Sequence, residues 1–201
     1  GLRLVRDVFA YAKDNVPLWN TISIAGYHLR EKGSSAVQEL VAGFTYALEY
    51  LVVAQQAGLK VEDVARQVSF FNNVKLTTLE EVAKYRVARR IWEQLIREAF
   101  GATDPRATQW RVQAYTGGTD LRAQKPHVNI VRDAIRTLTS ILSGPQGTNT
   151  TSFDEAITIP TDLSQEISID TNHIVLNETG VTEVIDPLGG RKDLAARLLR
   201  V

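Results

Sequence analysis

His28 is the residue best equipped for chemistry in this 201-residue sequence. It follows Gly26 and Tyr27 at the end of a short β-prone run, Thr21-Ile22-Ser23-Ile24-Ala25. An imidazole can serve as a hydrogen-bond donor near neutral pH. Two polar aromatic side chains placed where a buried strand stops therefore mark a candidate site. The competing reading is a histidine satisfied by a neighbouring backbone group beside a tyrosine that packs in the core or at its rim. His127 and His173 fall on expected helices and read as surface or rim residues. No pair of histidines has the spacing of metal ligands, so no metal site is expected. The absence of cysteine excludes disulfides, thiolate metal sites and cysteine nucleophiles. It also fits a reducing compartment, so a cytoplasmic location is expected.

The elements that must position Tyr27 and His28 follow from periodicity. Strands are expected near residues 21–26, 68–72, 109–115 and 146–150. Helices are expected over residues 2–15, 34–57, 61–66, 78–100, 126–142 and 163–178. Leu4, Val5, Val8, Phe9 and Ala12 share one face of the first, and Leu79, Val82, Ile91, Leu95 and Ile96 that of the fourth. Thr78 with Glu81 reads as a capping box. Gly58, Gly101 and Gly180 read as helix stops. Strand and helix alternate four times, which argues for a parallel sheet with helical crossovers. Neither a G-x-G-x-x-G string nor a P-loop occurs, so a nucleotide-binding doubly wound sheet lacks its main signal. Barrel-type packing is the alternative, and it places functional side chains at the C-terminal ends of strands, where Tyr27 and His28 stand.

Composition bounds the rest. The chain is long enough for one domain with a sizeable core. Lys plus Arg and Asp plus Glu each number 23, so net charge gives no case for nucleic acid or an anionic membrane. The contiguous apolar runs look too short to span a bilayer, and no segment reads as a signal peptide. Methionine is absent even at position 1, which suggests a processed, engineered or redesigned product.

The stretch "SIAGYHLREKGSSAVQEL" resembles the signature of the methylmalonyl-CoA mutase family. The resemblance continues through "VSFFNNV", "EEVAKYRVARRIW", "FGATDPR", "AQKPHVNIVRDAI", "TSFDEAITIPTD" and "ETGVTEVIDPLGG", and covers residues 4–190. The family comprises adenosylcobalamin-dependent acyl-CoA mutases. Their substrate domain is a (β/α)8 barrel, with the thioester chain threaded along its axis, and a separate flavodoxin-like domain carries the cobalamin. The resemblance thus implies an α/β, TIM-barrel-type fold: four βα units forming the second half of the barrel, as a single domain over residues 1–201. The tail 191–201 departs from the family and reads as a short amphipathic helix. The missing first half would hold the arginine that binds the substrate carboxylate. The cobalt-ligating D-x-H-x-x-G string does not occur in this sequence.

By this resemblance His28 is the catalytic histidine that hydrogen-bonds the thioester carbonyl, with Tyr27 beside it. Such a donor stabilises charge that develops as the acyl radical rearranges. Asn20 and Ser69 match positions near the coenzyme A chain. Gln67, Gln113, Gln146 and Asn149 complete the implied substrate-binding set. Three of them are departures: Gln67 replaces an arginine that contacts coenzyme A, and Gln113 and Asn149 replace histidines. Losing a charge-assisted contact should weaken anion binding.

The expected function is therefore a partial acyl-CoA-binding barrel of a methylmalonyl-CoA mutase-like isomerase, inactive alone. The cofactor implied is adenosylcobalamin, carried by a domain or subunit absent from this chain. The expected partners are an acyl-CoA ester, the cobalamin-binding domain or subunit, and a second copy or complementary barrel half; nucleic acid and membrane are not expected. Two alternatives stay open: a self-associating or engineered half-barrel scaffold without catalysis, and a coenzyme A-ester binding module.

Overall fold

The structure is a computed structural model that describes residues 1–189. The expected tail 191–201 lies outside the described residues. The elements are α1 (Leu2–Asn15), β1 (Ile22–Ala25), α2 (Tyr27–Glu31), α3 (Ala36–Gln56), α4 (Val61–Ala65), β2 (Val68–Asn73), α5 (Thr78–Phe100), β3 (Val112–Tyr115), α6 (Asn129–Ser143), β4 (Gly147–Asn149) and α7 (Asp162–Asn177). Single 3-10 turns at Gly118–Asp120 and Pro126–Val128 lead into α6.

The strands form one sheet in the order β1-β2-β3-β4, which leaves β1 and β4 at its edges. Between β1 and β2 the pairing is parallel, with Ile22 opposite Val68 and Ala25 opposite Phe71. From β2 to β3 the Phe70 amide donates to the Arg111 carbonyl and the Val74 amide to the Tyr115 carbonyl, each at 2.7 Å. Both partners advance in step along the chain, as parallel pairing requires. The expected α/β alternation of a parallel four-stranded sheet with helices is therefore what the chain adopts.

The chain divides into two compact units: residues 1–72 with 84–113, and residues 73–83 with 114 onward. The first unit has an aromatic core. Phe70 meets Trp92 at 4.9 Å, Trp110 at 5.6 Å and Phe44 at 5.9 Å between ring centroids. Such ring pairs add stability beyond the area they bury. The second unit is held largely by hydroxyls. Thr137 bonds Thr150 at 2.6 Å, Ser140 bonds Thr148 at 2.8 Å, and Ser143 donates to the Thr139 carbonyl at 2.7 Å. Its helix α6 is inverted: Asn129, Asp133, Arg136, Thr137 and Ser140 are buried while Val131 and Ile135 are exposed.

Several local expectations shift. At the start of α5 the Thr78 hydroxyl bonds Thr139 at 2.9 Å, while the Thr77 hydroxyl donates to Glu80 Oε2 at 2.9 Å and the Thr77 carbonyl takes the Glu81 amide. Leu79 is 80% exposed and Ile91 also faces out, because the buried stripe of α5 runs through Val82, Tyr85, Ala88, Trp92 and Ile96. In α1 Phe9 and Ala12 are buried, but Leu4 is exposed. Helix α3 corrects the expectation about apolar runs. By length and composition it is apolar enough to cross a membrane, although Glu39, Thr45 and Glu49 break its contiguous runs. Here it is a core helix that buries Phe44, Ala47, Leu51 and Ala54.

Candidate functional site

Gly26 starts the site. It caps α2, and its carbonyl accepts from the amides of Leu29 at 3.0 Å and Arg30 at 3.2 Å. The strand therefore turns at once into a five-residue helix whose first two residues are Tyr27 and His28. A Cβ at Gly26 would stand 2.9 Å from Glu39 Cγ, 3.1 Å from Asn72 Nδ2 and 3.3 Å from the Glu39 carbonyl oxygen. Only glycine permits so close an approach of this turn to α3.

The turn sets the geometry of the aromatic pair. Tyr27 lies flat on Phe71, with centroids 4.6 Å apart and planes 13° from parallel. His28 stands edge-on to Tyr27 at 5.6 Å and to Phe71 at 6.1 Å. Tyr27 and Phe71 are half-buried, and the imidazole is exposed. Sequence reasoning did not select Phe71. Strand alternation is the signal that could have found it, because Phe70 takes the core side and Phe71 must then face the other way.

The other expected site residues of the first unit are spread along the sheet. Ser69 shares the Phe71 face of β2 and donates its hydroxyl to the Ile22 carbonyl at 3.4 Å. Gln113 occupies β3 and is half-buried. Asn20 is exposed just before β1. Gln67 stands at the start of β2, buried, with Nε2 donating to the Pro17 carbonyl at 3.3 Å. It is thus at the opposite end of the strands from His28, about 13 Å away along β2 at the usual rise per residue. Next to it the exposed Arg66 pairs with Asp104 at 2.6 Å.

In the second unit Gln146 and Asn149 are exposed and line a cavity of about 590 Å³ with Ile141, Ile169, Asn172 and His173. His127 is exposed on its 3-10 turn, and His173 is exposed beside Asp170 at 3.9 Å. The second unit also holds an ionic network absent from the sequence reading. Lys75 pairs with Asp120 at 3.7 Å, and the Leu76 amide donates to the same carboxylate at 3.1 Å. Arg136, fully buried, lies 3.9 Å from Asp120 and donates to Asp133 and to the Gly117 carbonyl. Burial pushes the Asp133 carboxyl up to about 6, against the pull of Arg136. In the first unit, by contrast, the backbone amides of Asp104 and Thr103 hold the Glu62 carboxyl below its usual range.

The methylmalonyl-CoA mutase family model matches residues 1–191. The chain is 40% identical over 190 residues to the methylmalonyl-CoA mutase of Rhizobium meliloti, covering 94% of this chain and 26% of the relative. It is 37% identical over 190 residues to the probable mitochondrial methylmalonyl-CoA mutase of Caenorhabditis elegans, again covering 94% of this chain and 26% of the relative. It is likewise 37% identical over 190 residues to the mitochondrial methylmalonyl-CoA mutase of Homo sapiens, covering 94% of this chain and 25% of the relative. The chain thus spans about a quarter of the length of the curated relatives it matches. With the strand–turn–helix geometry around Tyr27 and His28, and a family match across nearly every described residue, the chain belongs to the methylmalonyl-CoA mutase family.

Proposed function

We propose that this chain supplies part of the acyl-CoA-binding wall of a methylmalonyl-CoA mutase-like isomerase, with four βα units as half of a (β/α)8 barrel. The observation that carries the reading is the exposed His28 imidazole, held edge-on to Tyr27 and Phe71 at the C-terminal end of β1. An imidazole ring nitrogen bearing a proton donates to the thioester carbonyl and stabilises negative charge that develops on that oxygen. The flat Tyr27–Phe71 pair walls one side of the imidazole and restricts its rotation. On the same face of β2 as Phe71, Ser69 offers a hydroxyl for the coenzyme A chain, and within the first unit Asn20 and Gln113 offer amides; Gln146 and Asn149 offer theirs separately, on the cavity of the second unit. The uncharged Gln67 in place of an arginine makes the expected affinity for the phosphates weak.

The family implies adenosylcobalamin, which would supply the radical that initiates rearrangement. The described residues do not fit that group. His28 stands edge-on to the aromatic pair, His127 is exposed on its 3-10 turn, and His173 is exposed beside Asp170. Among the described residues no group of three His, Asp or Glu side chains is arranged to hold a metal ion. In this proposal the cofactor is held outside the described residues. The chain by itself binds without turnover; in the cytoplasm it forms part of a larger assembly. A second reading, a self-associating scaffold without catalysis, draws support from β1 and β4, whose outer edges end the sheet.

Isothermal titration with methylmalonyl-CoA and isobutyryl-CoA tests the proposal, beside an anaerobic isomerisation assay with adenosylcobalamin supplied. Binding without turnover is expected, weakened about three- to tenfold by His28→Ala, as for the loss of one hydrogen bond. Binding indifferent to His28→Ala, or none at millimolar ester, would refute it.

A further inference from the structure

Glu39 is the fully buried carboxylate of α3, and Lys84 of α5 donates to its Oε2 at 2.8 Å from an almost equally buried position. This pair lies behind the site, against both ends of α2. At the first end, Gly26 packs so closely on Glu39 that a Cβ would sit 2.9 Å from its Cγ. At the other, Arg30 brings Nε to 4.0 Å from Glu39 Oε2 and donates Nη1 to the Ser34 carbonyl at 2.7 Å. Asn72 completes the cradle. Its side-chain amide nitrogen lies 3.1 Å from the same Cβ position at Gly26, and its backbone carbonyl accepts from the Tyr85 hydroxyl at 3.3 Å.

We propose that the Glu39–Lys84 ion pair is a positioning element for the Tyr27–His28 site: it holds the Gly26 turn against α3 and so aims the imidazole. The proposal rests on the acyl-CoA reading of that site, and it adds residues that touch no substrate. The physical argument is a comparison of costs. Two buried charges lose hydration that a packed apolar pair would not, so such a pair is a poor device for stability alone. It is directional, however, because the ammonium and carboxylate must stay aligned to hold each other. Glu39 is thereby fixed in one rotamer, and its methylene is the surface on which Gly26 rests. An apolar replacement would fill the space without fixing that surface.

The test compares the chain with Glu39→Gln/Lys84→Met, which removes both charges while keeping similar volume. The carbon–proton correlations of the imidazoles report position without any ligand, and His127 and His173 serve as internal controls. The expected result is a folded double variant in which only the His28 signals move, because the ring leaves its edge-on place against the Tyr27–Phe71 stack. Affinity for isobutyryl-CoA should fall about fivefold, the loss of one well-aimed hydrogen bond. Lys84→Arg, which keeps the charge, should keep His28 near its native signals. Unmoved His28 signals in a folded double variant would overturn the proposal. Should the double variant not fold, Gly26→Ala presses on the same contact and must move the His28 signals instead. If neither folds, the pair supports the whole unit and the proposal fails. If the unaltered chain binds no ester, the acyl-CoA reading falls, while the His28 signals still decide whether the pair aims the ring.

Discussion

Phe70 and Phe71 are neighbours in sequence with opposite duties, and exchanging each for alanine should separate them. Phe70 is 2% exposed and meets three aromatic rings within 6 Å. Truncating a buried phenylalanine typically costs ~3–5 kcal/mol. Loss of three ring contacts, each worth ~0.5–1.5 kcal/mol in favourable geometry, puts Phe70→Ala at the upper end of that range. Phe71 is half-buried and stacks on one ring, Tyr27, so Phe71→Ala should cost only ~1–2 kcal/mol. With a urea dependence of about 2 kcal/mol per molar, the midpoint should drop ~2 M for Phe70→Ala and under ~1 M for Phe71→Ala. Fluorescence of the buried Trp92 and Trp110 reports the transition. Ester binding should reverse the order among folded variants: Phe71→Ala releases the imidazole and loses affinity. Equal midpoints, or a larger loss for Phe71→Ala, would show that the strand register does not assign the two rings to opposite faces.

Other outcomes follow from the same structure. The raised Asp133 carboxyl favours the fold while protonated, so its contribution is complete below the ordinary aspartate range and is lost as pH rises through about 6. Denaturation against pH should show this decline, and Asp133→Asn should flatten it. Glu62 has the opposite sign, since its lowered carboxyl stabilises above the ordinary glutamate range and the benefit disappears as pH falls through the lowered value. Glu62→Gln should remove that acid-side loss in the same titrations. Thr77→Ala removes an exposed hydrogen bond to Glu80 and should cost at most about 1 kcal/mol, measured by circular dichroism in urea. Size-exclusion chromatography with light scattering should find a dimer or larger assembly at micromolar concentration, because edge strands expose unpaired backbone groups. A monodisperse monomer would contradict the assembly proposal.

Much of the fold was legible because local rules and tertiary needs agree. The span of α1 is the expected one, and each of the four expected strands is present within a few residues. Gly58, Gly101 and Gly180 all take positive φ, as helix stops that only glycine enters without strain should. The family motifs likewise marked Tyr27 and His28 before any geometry was known. What stayed hidden depends on partners distant in the chain. Lys84 belongs to a helix that carries many charges of both signs, yet it is buried on Glu39, 45 residues earlier. Arg136 and Asp133 share one helix at a spacing that suggests a surface pair, and only the packing of the second unit removes them from water. The hydroxyl-lined burial of α6, with Val131 and Ile135 facing out, likewise inverts the hydrophobic rule. Periodicity specifies which residues share a face. Whether that face meets solvent, a counter-charge or a ring is decided by the elements packed against it, and the stack of Tyr27 on Phe71 exists only because the β1–β2 register brings the ends of those strands together.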